Sequence, residues 1–229
     1  MVGLLAQVAV LAALAATVGL GGAGWAVGLA CGLIMRAALT RGLTTTGVRA
    51  LGPADAVTVT RATLAGGVAA LVADAYVRPV PLATLVGITV VALVLDAVDG
   101  QVARRSGTAS ELGARFDMEV DAFLILVLSV LVARSAGWWV LALGAMRYAY
   151  VAAGWALPWL RLRLPVRYWR KVVAATVGIV LVTAAALPGP VTTAALVVAL
   201  ALLVESFGRD VIWQWQHRRT VLRADRATP

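Results

Sequence analysis

Apolar runs of about twenty residues, the length needed to cross a hydrocarbon core, recur along this chain. They restrict it to folds that satisfy every backbone hydrogen bond internally. The runs cover approximately residues 56–75, 82–98, 114–133, 138–157, 172–187 and 191–207. With 62% hydrophobic and 14% charged residues, a water-soluble domain is excluded, and the expectation is an all-α integral membrane protein with six core helices. A further apolar stretch, residues 1–40, is broken by Gly19-Leu20-Gly21-Gly22-Ala23-Gly24 and reads as an N-terminal hairpin. One long tilted helix is its rival. No charged residue precedes the run, which argues against a cleaved leader. The expected division is therefore a hairpin at 1–40, a juxtamembrane amphipathic segment at 41–55, a six-helix domain at 56–208 and a basic tail at 209–229. The Arg-bearing stretch from Arg36 to Arg61 is expected along the membrane surface.

Charge is distributed unevenly around these spans. If the six helices alternate, Arg78 and Arg134 fall on one side. Arg104, Arg105, Arg115, the cluster Arg161, Arg163, Arg167, Arg170 and Lys171, and the basic residues from Arg209 onward fall on the other. The arginine-rich side is then cytoplasmic. The net charge of +9 has anionic lipid headgroups as partners, and no basic patch interleaved with exposed aromatics points to nucleic acid. The single cysteine, Cys31, lies in an apolar run and excludes both a disulfide framework and a Cys-based metal site.

Against this background four carboxylates stand out: Asp96, Asp99, Asp117 and Asp121. An ionised acid at the end of an apolar helix is costly unless it is paired, solvated or bound to metal. Asp96 and Asp99 are spaced i,i+3, and Asp117 and Asp121 i,i+4, so each pair shares one helix face. The segment between them is long enough to reverse direction, which lets the two acidic faces approach as an antiparallel pair. Oxygen ligands without His or Cys select hard cations such as Mg2+ or Mn2+, and four acids suffice for two ions. Two such ions suit phosphoryl chemistry.

The acids belong to a longer pattern, D-x2-D-G-x2-A-R-x8-G-x3-D-x3-D, filled at every position by Asp96, Asp99, Gly100, Ala103, Arg104, Gly113, Asp117 and Asp121. In this the chain resembles the CDP-alcohol phosphotransferases, and the hydrophobic layout from about residue 53 to 208 is similar to that family's membrane domain. The resemblance implies transfer of a phosphatidyl group from CDP-diacylglycerol to an alcohol acceptor, release of CMP and a homodimer. It also implies that Asp96, Asp99 and Asp117 hold metal, while Asp121 combines metal contact with general-base work. Gly100 and Ala103 leave room for cytidine, Arg104 can bridge the pyrophosphate in a bidentate contact, and Gly113 permits close ligand or helix approach. Ser110 resembles a donor-binding position. Asp55 and Thr58, in the segment that opens the first core helix, help enclose the nucleotide; Asp55 reads equally as a helix N-cap.

The acceptor is read from basic residues. Arg147 sits inside an apolar helix and must find a partner, and with Arg167, Arg170 and Lys171 it points to a phosphorylated polyol such as inositol phosphate or glycerol 3-phosphate. A neutral or lipid acceptor is the alternative. Small residues such as Gly144 and Ala145 offer a face for close packing of two protomers. Two other classes fit less well: a divalent-cation transporter, for which no repeated acid motif is present in the second half, and a non-catalytic lipid-binding protein, which leaves the four acids without a purpose.

Overall fold

The computed structural model describes residues 2–46, 53–106, 111–162, 164–165 and 168–224. Residues 2, 39, 42–46, 53–56, 97–106, 111, 112, 114, 115 and 219–224 among them are described by backbone alone. Eight α-helices and two short 3-10 turns, with short connections, occur among these residues, and no strand does. The helices are α1 (Val2–Val18), α2 (Gly22–Thr46), α3 (Pro53–Ala75), α4 (Leu82–Ser106), α5 (Glu111–Ala136), α6 (Leu141–Ala156), α7 (Tyr168–Ala186) and α8 (Pro190–Ala224). The 3-10 turns are Trp138–Val140 and Pro158–Arg161. Segments long and apolar enough to cross a membrane are Val57–Ala75, Tyr168–Ala186 and Pro190–Arg218; Gly3–Val18, Gly22–Ala38 and Leu82–Asp96 are shorter apolar helices. The other two expected spans look different. Helix α5 carries Asp117, Glu119 and Asp121 near its start, and the expected run 138–157 divides into a 3-10 turn and the sixteen-residue α6.

The chain forms two compact units, divided inside α5 after Leu131. In the first, α3 is the central element and packs against α1, α2 and α4. Its sequence explains why. Ala62, Ala65, Ala69 and Ala70, with Gly66 and Gly67, let neighbouring backbones approach closely, while Val68, Leu71 and Val72 fill the remaining space. At Gly66 a Cβ atom would stand 2.7 Å from the Gln7 side-chain oxygen, so the glycine leaves room for the buried Gln7 side chain of α1 against α3.

The hairpin of α1 and α2 turns at Gly19, whose φ of 71° favours glycine. It is fastened to α3 by Asp74. One carboxylate oxygen of Asp74 accepts from the Gly21 amide at 2.6 Å and the other from the Gly24 amide at 2.7 Å, so the buried acid caps α2 from another helix. Arg78, one turn further on, donates from Nε to the same carboxylate at 2.9 Å, and its Nη2 lies 2.8 Å from that oxygen as an ion pair. Tyr76 donates to the Val130 carbonyl at 2.7 Å and ties the turn after α3 to α5.

The second unit is built on α7 against α8, with Val173, Val177, Leu181, Leu196, Ala199 and Leu203 in its core. Helix α8 has 35 residues, about 52 Å, which exceeds a hydrocarbon core of roughly 30 Å. The basic residues from Arg209 to Arg223 therefore continue a helix. Gln214, fully buried on α8, donates to the carbonyls of Leu160 and Leu162 at 2.9 Å each and accepts from Tyr150 at 2.6 Å. Gly144 is buried within this unit, so of the two small residues expected on an open face only Ala145 is exposed.

Replacing Asp74 by Ala removes charge-assisted bonds to two helix-terminal amides and strands Arg78. A loss of about 1.5–3 kcal/mol in stability is expected, read as a lower unfolding midpoint in detergent, while Asp74→Glu retains part of it. An unchanged midpoint would show that the hairpin is held by apolar packing alone.

Candidate metal centre

Helices α3 and α4 are joined by six residues, 76–81, and pack as antiparallel neighbours. Arg61 lies eight residues into α3, about 12 Å from its start, and Asp96 ten residues before the end of α4, about 15 Å from it. The two are therefore level. Helix α5 begins after the second reversal and brings Asp117 and Asp121 to the same end within its first three turns.

The sequence places these acids on helix faces, and the backbone extends that pattern. Helix α4 runs through Ser106, so Asp96, Asp99, Gly100 and Ala103 occupy positions i, i+3, i+4 and i+7 of one helix and share a face. A reversal is expected between Gly100 and Gly113, but α4 continues through Gly100 to Ser106 and α5 already begins at Glu111; residues 107–110 lie outside the described residues. Gly113, Asp117 and Asp121 follow at i, i+4 and i+8 along α5.

Carboxylate oxygens of Asp96, Asp117 and Asp121 lie within 4.8 Å of one another. Their side chains are 39%, 33% and 32% exposed, so the cluster opens on one side. All its donors are carboxylate oxygens, which fits a hard divalent ion and excludes the N/S ligation of structural zinc. Side chains of Asp99, Gly100, Ala103, Arg104 and Asp55 lie outside the described residues, as does Ser110 altogether. The backbone puts Asp55 inside the first turn of α3, which starts at Pro53, rather than ahead of it as a cap. Thr58 is buried on α3, one turn before Arg61, and Gly113 is half-buried.

The cluster contains a cation that the spacing argument missed. Arg61 was expected at the end of a surface stretch, but its side chain is 1% exposed and its guanidinium stands among the three acids. Nη1 donates to Asp117 and lies 2.9 Å from Asp96 Oδ1; Nη2 donates to Asp121; Nε donates to the Ala92 carbonyl at 3.3 Å. A guanidinium fork can serve several oxygens at once, and burial strengthens each contact. The signal for Arg61 was present in the sequence, since a charge inside the apolar segment 57–75 requires a partner.

The residues expected to meet the acceptor belong to the second unit. Arg170 pairs with Asp210 at 2.9 Å and donates to the Pro165 carbonyl at 2.8 Å, so part of its charge is already met within the protein. Arg147 is half-buried, and it acts electrostatically on Tyr150 together with Arg170 and Asp210. Lys171 is exposed, and Arg167 lies outside the described residues. Arg161, another member of the basic cluster, donates to the Gly154 carbonyl at 2.7 Å near the end of α6.

A sequence model of one protein family, described as CDP-alcohol phosphatidyltransferase, matches residues 51–206, more than half of the 229-residue chain. No curated protein and no solved structure matches significantly.

Proposed function

Because the chain belongs to the CDP-alcohol phosphatidyltransferase family, it is a membrane-bound transferase of substituted phosphate groups, and we propose that it moves the phosphatidyl group of CDP-diacylglycerol onto a phosphorylated polyol. Inositol phosphate and glycerol 3-phosphate are the acceptors of that class, and CMP is the second product. The observation that carries the reading is the convergence of Asp96, Asp117 and Asp121 from two helices. Asp99, one helical turn from Asp96, completes the proposed ligand set. Two Mg2+ or Mn2+ ions held by these four acids would neutralise a bound pyrophosphate and lower the barrier to charge build-up on its oxygens.

The chain's own groups divide the remaining work. Gly100 and Ala103 leave the helix face shallow enough for the cytidine, and Thr58, Asp55, Gly113 and Ser110 are assigned to the rest of the nucleotide. Arg104 steadies the pyrophosphate with a bidentate contact. Asp121 accepts the proton of the acceptor hydroxyl at a carboxylate oxygen. As the deprotonated oxygen of the acceptor bonds to the phosphorus bearing the diacylglycerol arm, the bond from the same phosphorus to the CMP oxygen breaks and CMP departs with the electron pair. Helices α3 to α8 form the proposed six-helix catalytic domain, residues 56–208. It lies in the cell membrane with the acid cluster facing the cytoplasm, where water-soluble phosphorylated alcohols occur, and two copies assemble as a homodimer.

The phosphorylated acceptor rests on Arg147, Arg167, Arg170 and Lys171. The Arg170–Asp210 pair favours the second reading, a neutral acceptor, because it already neutralises one of these cations.

Purified protein in lipid should release CMP from CDP-diacylglycerol only with Mg2+ or Mn2+ and an acceptor present. Asp121→Asn is expected to lower release by at least 100-fold, in the range of general-base losses, while the protein remains folded. Turnover in chelator would contradict the metal-dependent reading. A panel of inositol phosphate, glycerol 3-phosphate, inositol and serine, read as lipid product by mass, tests the acceptor. Arg147→Ala should weaken use of the phosphorylated acceptors by about 1.5–3 kcal/mol with donor binding intact. Preference for inositol or serine would move the assignment to a neutral acceptor.

A further inference from the structure

Arg61 takes one oxygen from each of the three acids that make up the candidate metal centre. We propose that Arg61 is a built-in competitor of the divalent ion at this centre: its guanidinium and the ion draw on the same carboxylate oxygens of Asp96, Asp117 and Asp121. The inference rests on reading those acids as metal ligands.

Three observations support competition rather than a fixed structural pairing. The guanidinium sits at the convergence of the carboxylates and not at their rim: Nη1 serves two acids and Nη2 the third. A divalent ion needs those oxygens at about 2.0–2.6 Å, and a lone pair donated to a metal is not available in the same geometry to an N–H group. Second, the side chain is anchored to protein backbone at only one described point, the long Nε contact to Ala92. Third, the acids are about one-third exposed while Arg61 is fully enclosed, so the carboxylates that the guanidinium holds remain accessible to an ion. The charge is also suited to this role. A buried cation at the carboxylates removes much of the repulsion among them, which holds the three acids together without metal and lowers the free energy gained when metal binds. Arg61 is thus a positioning residue that sets ion affinity, and it keeps the protein folded in low-metal conditions.

The test uses the full chain in lipid nanodiscs, with free Mn2+ followed by electron paramagnetic resonance and the unfolding midpoint measured in chelator and in excess Mn2+. Arg61→Gln should tighten Mn2+ binding by roughly tenfold or more, lower the midpoint in chelator, and enlarge the rise in midpoint that Mn2+ produces. Arg61→Lys, whose compact ammonium cannot serve three carboxylates together, should shift both quantities in the same direction by less. It supplies the comparison if Arg61→Gln does not fold. Mn2+ affinity that is unchanged or weaker in these variants would overturn competition and leave Arg61 as a support for the site. Absence of Mn2+ binding by the unsubstituted protein, or binding unaffected by Asp117→Asn, would instead remove the metal-centre reading, and the proposal with it.

Discussion

Arg61 carries a charge that cannot be shed at the level where α3 lies, and the helices around α3 are arranged to meet it. An unpaired guanidinium in an apolar helix costs several kcal/mol, so a chain that places Arg at this position must also place acids beside it. Asp96 comes from the antiparallel neighbour α4, and Asp117 and Asp121 from the first turns of α5. The small residues of α3 let α1, α2 and α4 close around it, which leaves the guanidinium with the carboxylates as its polar surroundings. One charge thereby fixes the relative level of three helices, and the same carboxylates form the centre to which function is assigned.

Much of this was legible in the sequence because helical period and hydropathy are local quantities. The faces of Asp96 and Asp99, and of Asp117 and Asp121, follow from spacing alone, and the apolar runs mark most helices. Hydropathy also misled at helix ends. The reversal is expected to begin at about Gly100, where the apolar run has ended, yet Gln101, Ala103, Arg104 and Arg105 are good helix formers and α4 continues through them. The same holds for α8, whose basic end is helical well past the apolar segment.

What remained illegible depends on contacts between distant positions. Asp74 looked like an ordinary residue near a helix end, and only the fold brings Gly21 and Gly24 to its carboxylate. Gln214 likewise gave no signal, although it joins α8 to the turn after α6. Arg170 illustrates the opposite error. Its place in a dense basic cluster suggested a phosphate ligand, whereas Asp210, forty residues away, already shares its charge. A cluster counted along the sequence overstates free positive charge whenever the fold supplies acids from another helix.

The central claim is that acids from α4 and α5 form a divalent-ion centre at the level of Arg61. Anomalous scattering from crystals grown with Mn2+ tests it most directly. The account predicts a difference peak about 2.0–2.3 Å from carboxylate oxygens of Asp96, Asp117 and Asp121, with the Arg61 guanidinium withdrawn from at least one of them. No peak at the acids, or a peak elsewhere with Arg61 still bridging all three, would contradict it.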